Sequence, residues 1–104
     1  MIKKIKIGLI QSKSLGTIQS NIDLAIKNIK KAAKKKAKII CLPELFLTNY
    51  FCQTESHSNF KLAEKIPGKI SRIFCDLAKE LGVVLNITMF EKKTSGFYHN
   101  TSII

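Results

Sequence analysis

The stretch Lys38-Ile39-Ile40-Cys41-Leu42-Pro43-Glu44-Leu45-Phe46 decides how this chain is read. An apolar, β-rich run stops at a proline, and the next residue is a glutamate. In a parallel α/β sheet, sites are built in the loops at the carboxyl ends of the strands. A carboxylate set there between Leu42 and Leu45 is expected in partly apolar surroundings. Such surroundings raise a carboxylate's pKa and make it a better proton acceptor near neutrality. Glu44 is therefore the first candidate for chemistry.

Upstream, Ile5, Ile7 and Leu9 alternate with Lys6, Gly8 and Ile10, which predicts a strand over residues 3–10. Residues 11–16 read as loop. Ser20 with Asp23 three residues on resembles a capping box and opens a helix. Ile22, Ala25, Ile26, Ile29, Ala32 and Ala33 share one face of that helix. Lys27, Lys30, Lys31, Lys34 and Lys35 lie opposite or on its flanks, and the last of them suit the negative end of the helix dipole. The run to Leu42 is then a second strand. Strand, helix, strand implies a right-handed βαβ unit with a parallel pair.

Downstream, residues 43–60 form a long loop that carries Phe46, Tyr50 and Phe51 in place of the usual Gly and Ser. Long ordered loops after a strand tend to be functional. A short helical piece is expected around residues 59–64. Pro67-Gly68 punctuates the chain before a second amphipathic helix, with Ile70, Ile73, Phe74, Leu77, Ala78 and Leu81 on its face and Gly82 as terminator. Residues 83–90 read as a buried strand, Thr94-Ser95-Gly96 as a turn, and residues 97–104 as a fourth strand. That last connection is too short for a parallel crossover, so the fourth strand should run antiparallel. Residues 101–104 read as the middle of a strand, with no cap, turn or polar tail after them. The sequence looks interrupted there, with an open apolar edge.

The 104 residues are one domain at most. An apolar fraction of 45% and a charged fraction of 24% are ordinary for a globular protein. No apolar run reaches the length of a membrane span, so no membrane is expected. The opening Met1-Ile2-Lys3-Lys4 has the charge of a signal peptide, but the apolar stretch after it is interrupted at Lys6 and no small-residue cleavage site follows. The expected compartment is the cytoplasm, where three irregularly spaced cysteines stay reduced.

A net charge of +11 suggests nucleic acid, yet Arg72 is the one arginine among the 18 basic residues. Bidentate forks to phosphates and bases favour arginine. The lysines fall on helix surfaces without interleaved aromatics, so a solvated face is the better reading and nucleic acid a disfavoured partner.

The order of features resembles a known family. Gln11 follows the first strand, Asn21 starts the helix, and Leu42-Pro43-Glu44-Leu45-Phe46 follows the second strand. Then come Ile66-Pro67-Gly68, Ala78-Lys79-Glu80-Leu81-Gly82, Phe90-Glu91 and Tyr98-His99-Asn100-Thr101. Together they resemble the amino-terminal part of the nitrilase superfamily of carbon–nitrogen hydrolases. The loop Tyr50-Phe51-Cys52-Gln53 is similar to the N-carbamoylputrescine amidase branch in particular. The resemblance covers essentially all of this chain but less than half of a full family member.

It implies an α/β fold, the α-β-β-α sandwich of the nitrilase type, with residues 1–104 forming a partial, truncated domain that holds the amino-terminal β-α-β-α-β-β portion. It also implies a Glu–Lys–Cys triad in which Glu44 is the general base, taking the thiol proton during attack and later activating water. The cysteine attacks the substrate carbonyl and the lysine stabilises the oxyanion. Both of these lie beyond Ile104 in the family pattern, so residues 1–104 alone are expected to be inactive. The implied substrate is a small amide or carbamoyl compound, N-carbamoylputrescine in this branch, hydrolysed to putrescine, ammonia and carbon dioxide. No metal and no organic cofactor are implied. Homo-oligomers are expected of the full-length form.

Other site readings stay subordinate. Tyr50 and Asn100 are candidates to line the pocket or orient the triad. Cys41, inside the predicted strand, and Cys75, beside Phe74, read as packing residues. Cys52 lies in the loop near Glu44, but no His or Lys is fixed beside it to activate a thiol. His57 and His99 lack metal-ligand spacing, and Glu91 reads as an exposed strand end. Two functions from other classes compete: an inactive remnant or interaction half that needs a separate carboxyl-terminal polypeptide, and a basic nucleic-acid-binding module.

Overall fold

A computed structural model describes residues 3–51 and 56–104 of the chain. Its elements run β1 (Ile7–Leu9), α1 (Ile18–Lys34), β2 (Ile39–Cys41), a 3-10 helix (His57–Leu62), α2 (Lys69–Leu81), β3 (Val84–Thr94) and β4 (Phe97–Ile103). The strands form one sheet in the order β1-β2-β3-β4. β1, β2 and β3 are parallel, with Ile7, Ile39 and Val84 in one row, and β4 returns antiparallel to β3. The expected β-α-β-α-β-β order and the antiparallel last strand are both present.

The helices cover one face. Side chains alternate across a strand, and the set Ile40, Leu85, Ile87 and Met89 is buried against Ile22, Ala25 and Ile29 of α1 and Ile70, Phe74 and Leu77 of α2. Gly8 belongs to the same face of β1, where α1 comes close: a Cβ there would stand 3.1 Å from Ala32 Cβ and 3.3 Å from Ala37 Cβ. The alternate set points the other way and is open. Ile7 is 56% exposed, Leu9 79% and Val84 46%.

The differences from the sequence reading have local causes. β1 occupies three of the expected eight positions, because its single neighbour β2 offers only Ile39–Cys41 as ladder partners. β2 likewise ends one residue before Leu42. The cap of α1 is Thr17, whose Oγ1 accepts the Ser20 N–H at 3.1 Å, so the helix opens before the expected Ser20–Asp23 box. The short helical piece lies at His57–Leu62 and is of the 3-10 type. β3 runs past Phe90 to Thr94 because its far half is paired on both sides. β4 flanks one edge, and Glu64 bridges the other through Glu64 N–H to Phe90 C=O and Lys92 N–H to Glu64 C=O, both 2.8 Å.

The two long helices end differently. α2 stops at Gly82, φ +63°, in the left-handed conformation that glycine adopts without penalty. α1 is followed by Lys36 at φ +71°, where a Cβ is unfavourable. Lys36→Gly should therefore stabilise the fold by about 0.5–1 kcal/mol, and Gly82→Ala should destabilise it by about 1 kcal/mol. Thermal unfolding followed by circular dichroism should show Tm shifts of opposite sign, each roughly 3–8 °C.

Candidate active site

The parallel ladder ends at Pro43, and residues 44–47 turn back over the end of the sheet. Leu45, Phe46 and Leu47 are all buried, so the turn is anchored by its apolar side chains. The Phe46 ring meets Phe74 of α2 edge to face, with centroids 5.2 Å apart and planes at 86°, a contact worth about 0.5–1.5 kcal/mol beyond burial. Glu44, immediately before these anchors, points outward and is exposed. The partly apolar surroundings expected from Leu42 and Leu45 are not realised, because both leucines turn into the core while Glu44 turns away from it.

Two neighbours fix the turn. The Thr88 hydroxyl of β3 donates to Pro43 C=O at 2.7 Å and accepts the Leu45 N–H at 3.0 Å. Leu45 itself sits at φ +51°, a left-handed conformation that costs a non-glycine residue roughly 1–2 kcal/mol. From β4, Asn100 Nδ2–H donates to Glu44 Oε1 at 2.6 Å. One carboxylate oxygen is thereby held from the neighbouring strand.

A cleft of about 370 Å³ opens beside Glu44, walled by Gln11, Lys13, Pro43, Phe46 and Tyr50 among others. Its far wall is the β1–α1 loop, which buried Asn21 ties to the turn. Asn21 Oδ1 accepts the Leu15 N–H at 2.7 Å, while its Nδ2 donates to Ser14 Oγ at 3.0 Å and to Leu47 C=O at 2.7 Å. One carboxamide thus joins both walls of the cleft.

The candidates named from sequence separate into those the site gathers and those it does not. Glu44 and Tyr50 share the cleft, and Asn100 touches Glu44. No cysteine among the described residues lines that cleft. Cys41 is half-buried in β2, and Cys75 is exposed on α2 instead of packing as expected. Its neighbour Phe74 faces the core, and the helical step of about 100° carries Cys75 round to solvent. Cys52 lies outside the described residues. Glu91, expected to be exposed, is only 14% so: it lies within β3, accepts the Thr101 hydroxyl at 2.8 Å, and has His99 Nδ1 3.7 Å away. His57 is exposed at the start of the 3-10 helix, its ring 5.9 Å from that of Phe60.

Three residues of this site were missed in the sequence as contributors: Thr88, Lys13 and, as a joint between walls, Asn21. Among the described residues no group of His, Cys, Asp and Glu is arranged to hold a metal ion, and no helix is long and apolar enough to cross a membrane.

A two-layer α/β unit with a carboxylate at the carboxyl end of its second strand is the class this geometry defines. Residues 6–104 match the carbon–nitrogen hydrolase family, and the chain belongs to it. An N-carbamoylputrescine amidase of Oryza sativa subsp. japonica is 34% identical over 102 residues, covering 97% of this chain and 34% of that protein. An omega-amidase of Xenopus laevis, NIT2-B, is 34% identical over 101 residues, covering 97% of this chain and 35% of that protein. The crystal structure of a carbon–nitrogen hydrolase from Helicobacter pylori G27 superposes with a TM-score of 0.86 at 33% identity, over 94% of this chain and 34% of that one. The chain therefore spans about a third of the length of these relatives. Its β-α-β-α-β-β order matches the amino-terminal portion of the nitrilase fold.

The joint at Asn21 gives a test of the site's construction. Asn21→Asp replaces the donor to Leu47 C=O with a buried carboxylate facing a carbonyl. It should lower the unfolding free energy by about 3 kcal/mol, measurable as a drop in the urea midpoint. Asn21→Ala, which adds no charge, should cost less.

Proposed function

We propose that this chain supplies the base-bearing part of an amidase, with Glu44 as general base of a Glu–Lys–Cys triad and N-carbamoylputrescine as substrate. The observation that carries this reading is the placement of Glu44. It stands on a clamped turn at the carboxyl end of a parallel strand, at the rim of a cleft, with one carboxylate oxygen held by Asn100. A base positioned in this way accepts the thiol proton as the cysteine attacks, then activates the water that hydrolyses the thioester. The lysine would stabilise the oxyanion of both tetrahedral intermediates. The products would be putrescine, ammonia and carbon dioxide. Tyr50, on the cleft wall, would line the substrate pocket. The substrate choice draws support from the plant relatives, which are N-carbamoylputrescine amidases.

A second reading is favoured by the open sheet face. Exposed Ile7, Leu9 and Val84 form an apolar surface of the kind that marks an association site. The lysine and cysteine would then come from a separately encoded polypeptide that covers this face. Gel filtration with and without that polypeptide separates the two forms of assembly.

The deciding experiment reads the gene past the codon for Ile104 and assays the encoded protein. A lysine- and cysteine-bearing continuation, or a second frame carrying both, should give a protein that releases ammonia from N-carbamoylputrescine. Glu44→Gln should then lower kcat by about 10²–10⁴-fold with the fold intact. A stop with no complementary frame, or a Glu44→Gln enzyme of undiminished kcat, overturns the assignment. Residues 1–104 alone should release no ammonia.

A further inference from the structure

Thr88 contributes nothing to the cleft lining, yet its hydroxyl joins the two peptide groups that flank Glu44. Pro43 C=O belongs to the peptide before the Glu44 Cα, and Leu45 N–H to the peptide after it. The hydroxyl donates to the first at 2.7 Å and accepts from the second at 3.0 Å. Bridging both peptides fixes φ and ψ of Glu44 together, so the direction of its Cα–Cβ bond is set from β3. The bridge also coincides with the strained residue of the turn, Leu45 at φ +51°. Strain of this kind persists only where surrounding contacts over-determine the backbone.

The same hairpin holds the other end of the side chain. Ser102 of β4 lies opposite Thr88, and Asn100, opposite Phe90, is two residues earlier in β4 on the same face. Asn100 reaches the Glu44 carboxylate from there. Backbone and head group of Glu44 are thus gripped by adjacent strands of one rigid unit. We infer that Thr88 is a positioning residue for Glu44: its hydroxyl sets the backbone of the turn so that the carboxylate meets Asn100 and faces the cleft. This rests on reading Glu44 as the site carboxylate, and deepens that reading by naming what aims it.

The test follows the Asn100–Glu44 contact by NMR in the 104-residue chain, without reference to hydrolysis. In the unaltered chain, one Asn100 side-chain amide proton should respond to its hydrogen bond with the Glu44 carboxylate by resonating downfield, and the response should vanish in Glu44→Ala. Thr88→Val keeps the shape of the side chain and removes the hydroxyl, and should reduce that response at least about threefold, since a good hydrogen bond is lost on misalignment. Thr88→Ser should restore it. Ile29→Val, which destabilises a distant core position by about 0.5–1.5 kcal/mol, should leave the response unchanged and so excludes a general loosening.

A full response in Thr88→Val, or loss in Ile29→Val as well, overturns the inference. If Thr88→Val does not fold, hydrogen exchange decides in the unaltered chain. The Leu45 amide should exchange at least about 100-fold more slowly than an unprotected one, and an unprotected rate overturns the bridge. A failed amidase assay would leave all these readouts standing, and a failed Thr88 test would leave the chemistry of Glu44 to its own assay.

Discussion

β2 leaves the sheet at Pro43-Glu44 while β3 runs on, and the site depends on that mismatch. The parallel pairing of Ile39, Ile40 and Cys41 with β3 extends one step further, through the Leu42 N–H to Asn86 C=O at 3.0 Å, and then stops because Glu44, the next residue whose N–H would face β3, has already entered the turn. β3 does not stop there. It runs on to Thr94, so its Thr88 stands beside the place where β2 would have continued. With the ladder ended, a side-chain hydroxyl takes over the hydrogen bonds that a strand would have made. The chain leaves the sheet still bonded to it, and Glu44 lies at the point of departure.

Burial then makes the turn rigid. Leu45, Phe46 and Leu47 enter the core under the loop, and each buried side chain of this size is worth about 1.5–3 kcal/mol relative to exposure. That is enough to offset the left-handed conformation of Leu45. The strain and the anchoring therefore belong to the same three residues, and the glutamate before them is aimed outward because they are held inward. Asn21 extends this arrangement to the opposite wall, since Leu47 C=O, which it caps, would otherwise be a buried carbonyl without a partner.

The order of elements was legible because its signals are local. Period-2 alternation around Ile7 and the 3.6-residue spacing from Ile22 to Ala33 and from Ile70 to Leu81 lie within single elements. The Pro43–Glu44 junction could be read as a strand end with a carboxylate, and the family resemblance pointed to Asn100. The contacts that aim Glu44 were not legible, since Thr88 is separated from Pro43 by 45 positions and Asn100 from Glu44 by 56. No periodicity encodes such a pair. A threonine within a strand is what β-propensity alone would place there, so nothing in the sequence distinguished Thr88 from packing. The environment of Glu44 differs from expectation for a related reason: sequence neighbours are not spatial neighbours in a turn where successive side chains diverge.

The open face of the sheet changes character along the strands, from apolar rows at the amino end, through polar side chains beside the turn, to the aromatic cluster of Phe90, Tyr98 and Phe60. At the amino end, the row Ile7, Ile39 and Val84 is wholly apolar. One step along, Leu9 and Cys41 share a row with Asn86, which accepts the Ser102 hydroxyl. Beyond it come Thr88 opposite Ser102 and Phe90 opposite Asn100, where hydrogen bonds to the turn and to Glu44 are made. Apolar surface is cheap to cover and specifies little, whereas directional bonds specify position. Placing the polar residues at the carboxyl end puts geometric precision where a carboxylate must be aimed. It leaves the amino end free to bury area against whatever covers it. The same alternation that gives β3 its buried face, through Leu85, Ile87 and Met89, also delivers Thr88 to the site. One strand thus serves both core and site, and a shift of its register by a single residue would lose both at once.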